Sequence, residues 1–152
     1  MPPVPSSTVV FGSAQEESIK ANTTYVTPPA GAEEFDFVGQ HLMASYEDCC
    51  LDSLLNFKEL RGEMEKAIAL TGATLLAVSD YIFPNGGYTA LFLLAESHAS
   101  IHTYPEHKSC FIDVFTCGTN CDPARLDAHM QSFLKPERAR AQTLSRGRAA
   151  SP

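Results

Sequence analysis

Apolar and polar positions follow strand-like and helix-like periods from about residue 37 to residue 134. Residues 37–46 show the partly alternating pattern that is typical of a β-strand. From Leu51 to Leu70 the apolar residues recur with helical spacing, which predicts a helix with one buried face that ends at Gly72. Four further runs, at residues 74–82, 88–95, 100–104 and 110–117, predict strands, and the second of these is apolar on both faces and therefore predicted to be buried.

Turn-forming residues separate these predicted strands and identify the last helix. The Asn85-Gly86 pair favours positive φ and predicts a tight turn, and residues 105–108 suit a hairpin connection. Asp122-Pro123 is a typical helix start, and Pro136 ends that helix after about Leu134. The order strand, helix, strands, helix predicts an α+β two-layer sandwich: an antiparallel β-sheet with two helices packed on one face.

Composition divides the chain into three parts. Residues 1–34 are rich in Pro, Ser, Thr, Ala and Gly without a sustained period, so we expect a disordered leader. The ordered domain is expected at 35–135, followed by a flexible basic tail at 136–152.

Charge and cysteine usage limit the class of partner. Of the 18 Asp and Glu residues, 16 precede Arg125, and an acidic body of this kind disfavours nucleic acid as a partner. The five cysteines form an odd set, without a signal peptide, and no apolar run approaches the roughly 20 residues that span a bilayer. We therefore expect a cytoplasmic chain that binds no membrane. No metal site is expected, because the usual Cys-x-x-Cys and His-Glu-x-x-His spacings do not occur.

The segment 96–118 concentrates the groups that covalent chemistry requires. Ser97 offers a hydroxyl, His98 and His102 offer imidazoles, Glu106 offers a carboxylate and Cys117 offers a thiol. A nucleophile, a base and an acid are the components of a reaction that passes through a covalent step.

Three motifs in this segment carry a resemblance to a known family. Glu96-Ser97-His98, the His-Thr-Tyr-Pro-Glu run at 102–106 and the Phe-Thr-Cys-Gly run at 115–118 resemble the self-cleavage segment of the prokaryotic S-adenosylmethionine decarboxylase proenzymes. The resemblance covers about residues 38–122 and implies cleavage between Glu96 and Ser97. It also implies that Ser97 becomes a covalent pyruvoyl cofactor, which forms a Schiff base with the substrate amine.

The resemblance also implies a role for each of five further residues. His102 would be the base for processing, with Thr89 helping to polarise the scissile carbonyl, and Cys117 would be the proton donor in catalysis. Phe83 would stack on the adenine of S-adenosylmethionine, and Glu106 would accept hydrogen bonds from the ribose hydroxyls. Two processed protomers would pair as a dimer, with the sites near their interface.

The function implied is a self-processing S-adenosylmethionine decarboxylase that supplies the aminopropyl donor for spermidine biosynthesis. The chain departs from the family pattern at three positions near the predicted turn: Tyr81 stands in place of a histidine, Asn85 in place of a proline, and Ala90 in place of a glycine. Two alternatives to this function stay open, the first because the departures lie on the substrate side of the site. One is an arginine or ornithine decarboxylase on the same pyruvoyl scaffold, and the other is a non-cleaving regulatory homologue.

Overall fold

The computed structural model describes residues 37–118 and 120–147, so the predicted leader at 1–34 lies outside the described residues. The elements in chain order are β1 (Val38–Glu47), α1 (Leu51–Leu55), α2 (Phe57–Thr71), β2 (Leu75–Ile82), β3 (Tyr88–Leu94), β4 (Ser97–Tyr104), a short 3-10 turn (Pro105–His107), β5 (Ser109–Thr116), α3 (Pro123–Leu134) and β6 (Arg138–Gly147).

The six strands form one antiparallel sheet in the order β2-β3-β4-β5-β1-β6. Consecutive strands β2 to β5 pair as hairpins, and β1 then pairs on the far side of β5, so the first strand lies inside the sheet rather than at its edge. This arrangement confirms the predicted α+β class.

One face of the sheet forms the core together with the helices. Alternate residues of four neighbouring strands are buried, as the period of two in a strand requires when only one face is covered. The helices contribute the apolar stripe that packs against them. The largest core side chains are Tyr46, Tyr88, Phe92, Leu42, Leu54, Leu60, Met64, Ile68, Ile101, Ile112, Leu126 and Met130.

Two buried tyrosines link the sheet to polar partners at its surface. Tyr46 of β1 donates its hydroxyl hydrogen bond to the carboxylate of Asp127 in α3, at 2.5 Å. Tyr88 of β3 donates to Asp80 at 3.0 Å, and Arg61 of α2 pairs with the same carboxylate at 3.0 Å. Burial raises the pKa of both tyrosine hydroxyls, because the phenolate form would lose its hydration, and the neighbouring carboxylates add to the effect.

The opposite face of the sheet carries exposed apolar side chains. Leu91 and Leu93 of β3 are 56% and 55% exposed, and Phe111 of β5 is 49% exposed. The prediction that the run 88–95 is buried on both faces was therefore wrong for this single chain. The helices lie on the other side of the sheet, so only the alternate set that begins at Tyr88 is covered.

The helix predicted at 51–70 is two helices, which meet at Asn56. The backbone of Asn56 (φ −84°, ψ 73°) leaves the helical region, and its side chain accepts a hydrogen bond from the N–H of Glu59, which caps α2. Gly72 ends α2 at φ +91°, as predicted. None of the helices in 37–118 and 120–147 is long and apolar enough to cross a bilayer.

The tail is the clearest correction to the sequence analysis. Residues 138–147, predicted to be flexible, form strand β6, which pairs with the whole length of β1. All ten residues of β6 are exposed, so the apolar alternation that identifies a strand is missing. Backbone ladder bonds hold it at the sheet edge, and Arg138 adds ion pairs to Glu47 at 3.0 Å and to Asp48 at 2.7 Å. The ordered domain therefore continues past residue 135 to residue 147.

Candidate active site

The peptide bond between Glu96 and Ser97 lies at the start of β4, and two hydrogen bonds hold Glu96 in place there. The backbone N–H of Cys117 donates to the Glu96 carbonyl oxygen at 3.0 Å, and the N–H of Thr74 donates to the Glu96 carboxylate at 2.8 Å. Glu96, Ser97 and Cys117 together are called the serine cluster below. The hydrogen bond from Cys117 withdraws electrons from the carbonyl that a nucleophile would attack.

Ser97 has a backbone conformation that L-residues rarely adopt. Its φ is +154°, in a region populated almost only by glycine, and such strain costs of order 1–3 kcal/mol. Ordinary Glu-Ser peptide bonds are inert, so a serine that attacks its own chain has to be strained or tightly held, and Ser97 meets that condition. The Ser97 hydroxyl lies 3.0 Å from Nδ1 of His98, the next residue along the strand.

Two further residues, Gly118 and Thr116, lie next to the serine cluster. Gly118 is required by space, since a Cβ atom there would lie 2.7 Å from Cys121 Sγ and 3.1 Å from Glu96 Cγ. Thr116 pairs with Ser97 across β4 and β5, and its buried hydroxyl has no hydrogen-bond partner within 37–118 and 120–147. An unpaired buried hydroxyl is costly, and this one is available to a polar group that forms near residue 97.

The remaining predicted site residues gather at the other end of β4. Thr89 Oγ1 and His102 Nδ1 are hydrogen-bonded across β3 and β4, and the ring of Phe83 packs edge-on against His102 with centroids 5.7 Å apart. Glu106 lies in the 3-10 turn that follows β4. These four residues form the His102 cluster, and Tyr104 packs against the same imidazole at 4.6 Å.

A small cavity of about 110 Å³ lies within the His102 cluster, between the loop at 83–87 and the end of β4. The loop is closed by backbone hydrogen bonds from Phe83 to Gly87 (2.7 Å) and from Gly86 to Phe83 (2.9 Å). Asn85 donates from its amide to the Glu106 carboxylate at 3.5 Å. A Cβ atom at Gly87 would lie 3.2 Å from a backbone oxygen of β4, so the loop approaches the strand closely at this glycine. An aromatic ring and a carboxylate therefore border one exposed cavity.

The two clusters are well separated within one chain. Ser97 and His102 are five residues apart on the same strand, and a strand rises about 3.3 Å per residue, so their Cα atoms lie about 16 Å apart. The structure thus brings Phe83, Thr89, His102 and Glu106 together, and separately Glu96, Ser97 and Cys117. It does not bring His102 to Ser97 within the chain. The histidine in contact with the serine hydroxyl is His98.

Sequence reasoning missed two features of the site. The Asn85–Glu106 contact was not predicted, although both residues lie in segments that the sequence analysis singles out. The unpaired Thr116 hydroxyl was also missed, since its burial follows from the register of β5 against β4.

Comparisons with known proteins identify the family. Residues 40–147 match the family model described as S-adenosylmethionine decarboxylase. The S-adenosylmethionine decarboxylase proenzyme of Brevibacillus brevis is 40% identical over 114 residues, which cover 75% of this chain and 86% of the relative. That of Pyrobaculum islandicum is 38% identical over 105 residues, or 68% and 84% of the two chains. The crystal structure of adenosylmethionine decarboxylase from Aquifex aeolicus superimposes with a TM-score of 0.69 at 31% identity, over 77% of this chain and 97% of that one.

The antiparallel α+β fold and these relatives define a carboxy-lyase, an enzyme that removes CO₂ from its substrate. The chain belongs to the S-adenosylmethionine decarboxylase family. The family inferred from three short motifs is confirmed, and the matched region includes β6, which the sequence analysis had left outside the domain.

Proposed function

We propose that this chain is a proenzyme that cuts itself between Glu96 and Ser97 and then decarboxylates S-adenosylmethionine, supplying the aminopropyl donor for spermidine biosynthesis. The observation that carries the proposal is the strained Ser97, whose preceding carbonyl accepts a hydrogen bond from the N–H of Cys117. Ordinary Glu-Ser bonds are inert, and these two features raise the reactivity of this one.

Cleavage proceeds through an ester. The Ser97 hydroxyl attacks the Glu96 carbonyl, the C–N bond breaks, and the Cys117 N–H stabilises charge that develops on the carbonyl oxygen. A base then removes the Cα proton of residue 97, which eliminates the Glu96 carboxylate and leaves dehydroalanine. Hydrolysis releases ammonia and leaves a pyruvoyl group at the head of an α chain, residues 97–152, separate from a β chain, residues 1–96.

The surroundings of residue 97 fit a pyruvoyl group. Such a group needs a hydrogen-bond donor for its oxygen atoms, and the unpaired Thr116 hydroxyl lies on the residue that pairs with Ser97. When formed, the pyruvoyl group supplies a carbonyl that captures the substrate amine and withdraws electrons as CO₂ leaves. The half-buried thiol of Cys117 would give a proton to the product carbon, as a general acid placed beside the reacting group can do.

The His102 cluster is proposed to bind the nucleoside part of the substrate. Phe83 stacks on the adenine, and the Glu106 carboxylate accepts hydrogen bonds from the ribose hydroxyls. Both side chains border the same cavity, which supports this assignment. Asn85, which stands where the family pattern has a proline, places its amide 3.5 Å from the Glu106 carboxylate beside the same cavity.

A complete site is proposed to require two chains. The face of the sheet opposite the helices is called the open face. If the open faces of two protomers packed together about a two-fold axis parallel to the sheet and perpendicular to β4, level with the middle of that strand, the serine cluster of one protomer would lie against the His102 cluster of its partner. The exposed Leu91, Leu93 and Phe111 on that face supply apolar surface for such contact. His102 of the partner subunit would then be the base that removes the Cα proton of residue 97, with the partner's Thr89 polarising the scissile carbonyl.

Mass spectrometry of the denatured protein, followed by a CO₂ release assay, tests this function. We expect two fragments, residues 1–96 and 97–152, with a pyruvoyl group on the second, and CO₂ release from S-adenosylmethionine. CO₂ release from arginine or ornithine alone would reassign the substrate. A chain that stays intact would instead indicate a non-cleaving regulatory homologue.

A further inference from the structure

We propose that His98 is the base that takes the Ser97 hydroxyl proton in the first step of chain cleavage, a role distinct from that of His102. The proposal rests on the self-processing proposed above. The direct observation is the distance of 3.0 Å between Ser97 Oγ and His98 Nδ1.

This contact is unusual for neighbours on a strand. Successive side chains of a regular strand point to opposite faces of the sheet, so the two could not meet. At Ser97 the φ of +154° breaks the alternation and brings the hydroxyl to the imidazole of the next residue. The strained backbone therefore has two effects. It makes the Glu96–Ser97 peptide bond easier to break, and it brings the His98 imidazole within hydrogen-bonding distance of the Ser97 hydroxyl.

The position of the His98 ring is set by its neighbours on the open face. His98 lies between Leu93 of β3 and Phe115 of β5, and its ring centroid is 6.0 Å from that of Phe115. Phe115 itself is packed against His41 at 5.6 Å and under the guanidinium of Arg146 at 4.5 Å. Phe115 is thus held from two sides, while the His98 side chain is exposed in the single chain.

The step is balanced without any added reactant. His98 Nδ1 accepts the hydroxyl proton as Ser97 Oγ bonds to the Glu96 carbonyl carbon. The C–N bond of the scissile peptide then breaks, and the same proton passes from His98 to the released amine nitrogen. The product is the ester isomer of the chain. Two protons must be removed before the chain separates, one from the Ser97 hydroxyl and one from the Cα atom of residue 97. His98 would take the first, and His102 of the partner subunit would take the second.

The test compares the cleavage of wild-type protein, His98→Ala, His98→Asn and His102→Ala. Denaturing gels follow cleavage over time, and hydroxylamine treatment cuts any chain that has reached the ester. We expect both His98 variants to cleave about 10²-fold or more slowly without accumulating ester, because loss of a general base costs 10²–10⁴ in rate. His102→Ala should instead accumulate ester, because its first proton acceptor, His98, is intact.

His98→Asn separates proton transfer from positioning, since the amide can hydrogen-bond the serine but cannot take its proton. His107→Asn, an exposed histidine beyond the end of β4, is the matched control and should cleave as wild type does. Cleavage of His98→Asn at the wild-type rate, or ester accumulation in His98→Ala, would overturn the role of His98. In either case wild-type cleavage would leave the proposed function intact, whereas an uncut wild-type chain would remove both.

Discussion

The two ends of β4 differ in which parts of the chain surround the candidate site residues. At the Ser97 end the backbone itself is involved: a strained φ, a carbonyl held by the Cys117 N–H, and a glycine packed against Glu96. At the His102 end the strand is regular, and side chains from β3, β4 and the adjoining loops surround a cavity.

This difference matches the roles proposed for the two ends, chain cleavage at Ser97 and nucleoside binding at the His102 cluster. Breaking a peptide bond needs strain and donors that cannot move away, which backbone groups provide at little entropic cost. Binding a nucleoside needs a ring face and a carboxylate around an open space, which side chains provide. Substitutions should therefore separate chain cleavage from substrate use according to the end they alter.

The largest expected effect is at Ser97. Ser97→Ala removes the attacking hydroxyl, so we expect a folded chain that stays intact and releases no CO₂. Ser100→Ala, the same substitution three residues along β4, should cleave fully and serves as the control. Fragments from the Ser97→Ala chain, seen by mass spectrometry, would contradict the proposed cleavage chemistry.

Cys117→Ala should divide the two activities of the serine cluster. The alanine keeps the backbone N–H that binds the Glu96 carbonyl, so cleavage should persist, while loss of the thiol should lower the turnover rate by about 10²–10⁴. Single-turnover measurements of CO₂ release check this, with the exposed Cys50→Ala as control. Undiminished turnover would remove the thiol from the mechanism.

Glu106→Gln should affect substrate use and leave cleavage unchanged. A hydrogen bond to a charged group contributes about 1.5–3 kcal/mol, which corresponds to a fall in kcat/KM of roughly 10- to 100-fold. The exposed Glu137→Gln provides a matched control. A cleavage defect in Glu106→Gln as large as its loss of kcat/KM would show that the His102 end does more than bind and supply a base.

Tyr88→Phe should have the smallest effect, on stability alone. Burial raises the pKa of this hydroxyl, so the folded chain keeps a proton that the unfolded chain loses above pH about 10. The hydroxyl therefore stabilises the chain below that pH, and its contribution is lost as the pH rises further. Urea unfolding should give a free energy of unfolding about 1–2 kcal/mol lower for the variant than for wild type at neutral pH. As the pH is raised, the free energy of unfolding should fall less for the variant than for wild type. Tyr81→Phe, on an exposed tyrosine, should match wild type.

The hydrophobic pattern predicted the fold well where burial is one-sided. Strands β1, β3, β4 and β5 and helix α3 follow from apolar runs with one buried face and from the Asp122-Pro123 start, because the helix layer covers one face only. Strand β2 was predicted from its apolar composition, although none of its residues is fully buried. Strand β6 has no buried residue, so its pairing with β1 leaves no trace in that pattern. The break at Asn56 depends on one side-chain cap within an otherwise continuous helical period.

The candidate site residues could be named from the sequence, whereas their arrangement could not. Motif resemblance selected Ser97, His102 and Cys117, and their closeness in sequence suggested one cluster. Five residues of extended strand instead place Ser97 and His102 at opposite ends of β4, and the contact between Ser97 and His98 depends on a single unusual φ. Neither feature follows from residue type or spacing.

Co-expression of two inactive chains tests most directly whether each site is shared between protomers. Ser97→Ala and His102→Ala chains, carrying different tags, are produced alone and together, and mixed pairs are isolated through both tags. The account predicts that neither chain separates into fragments alone, and that the His102→Ala chain is cut in mixed pairs, where its Ser97 meets His102 of the partner subunit. Mixed pairs in which both chains stay intact would contradict it.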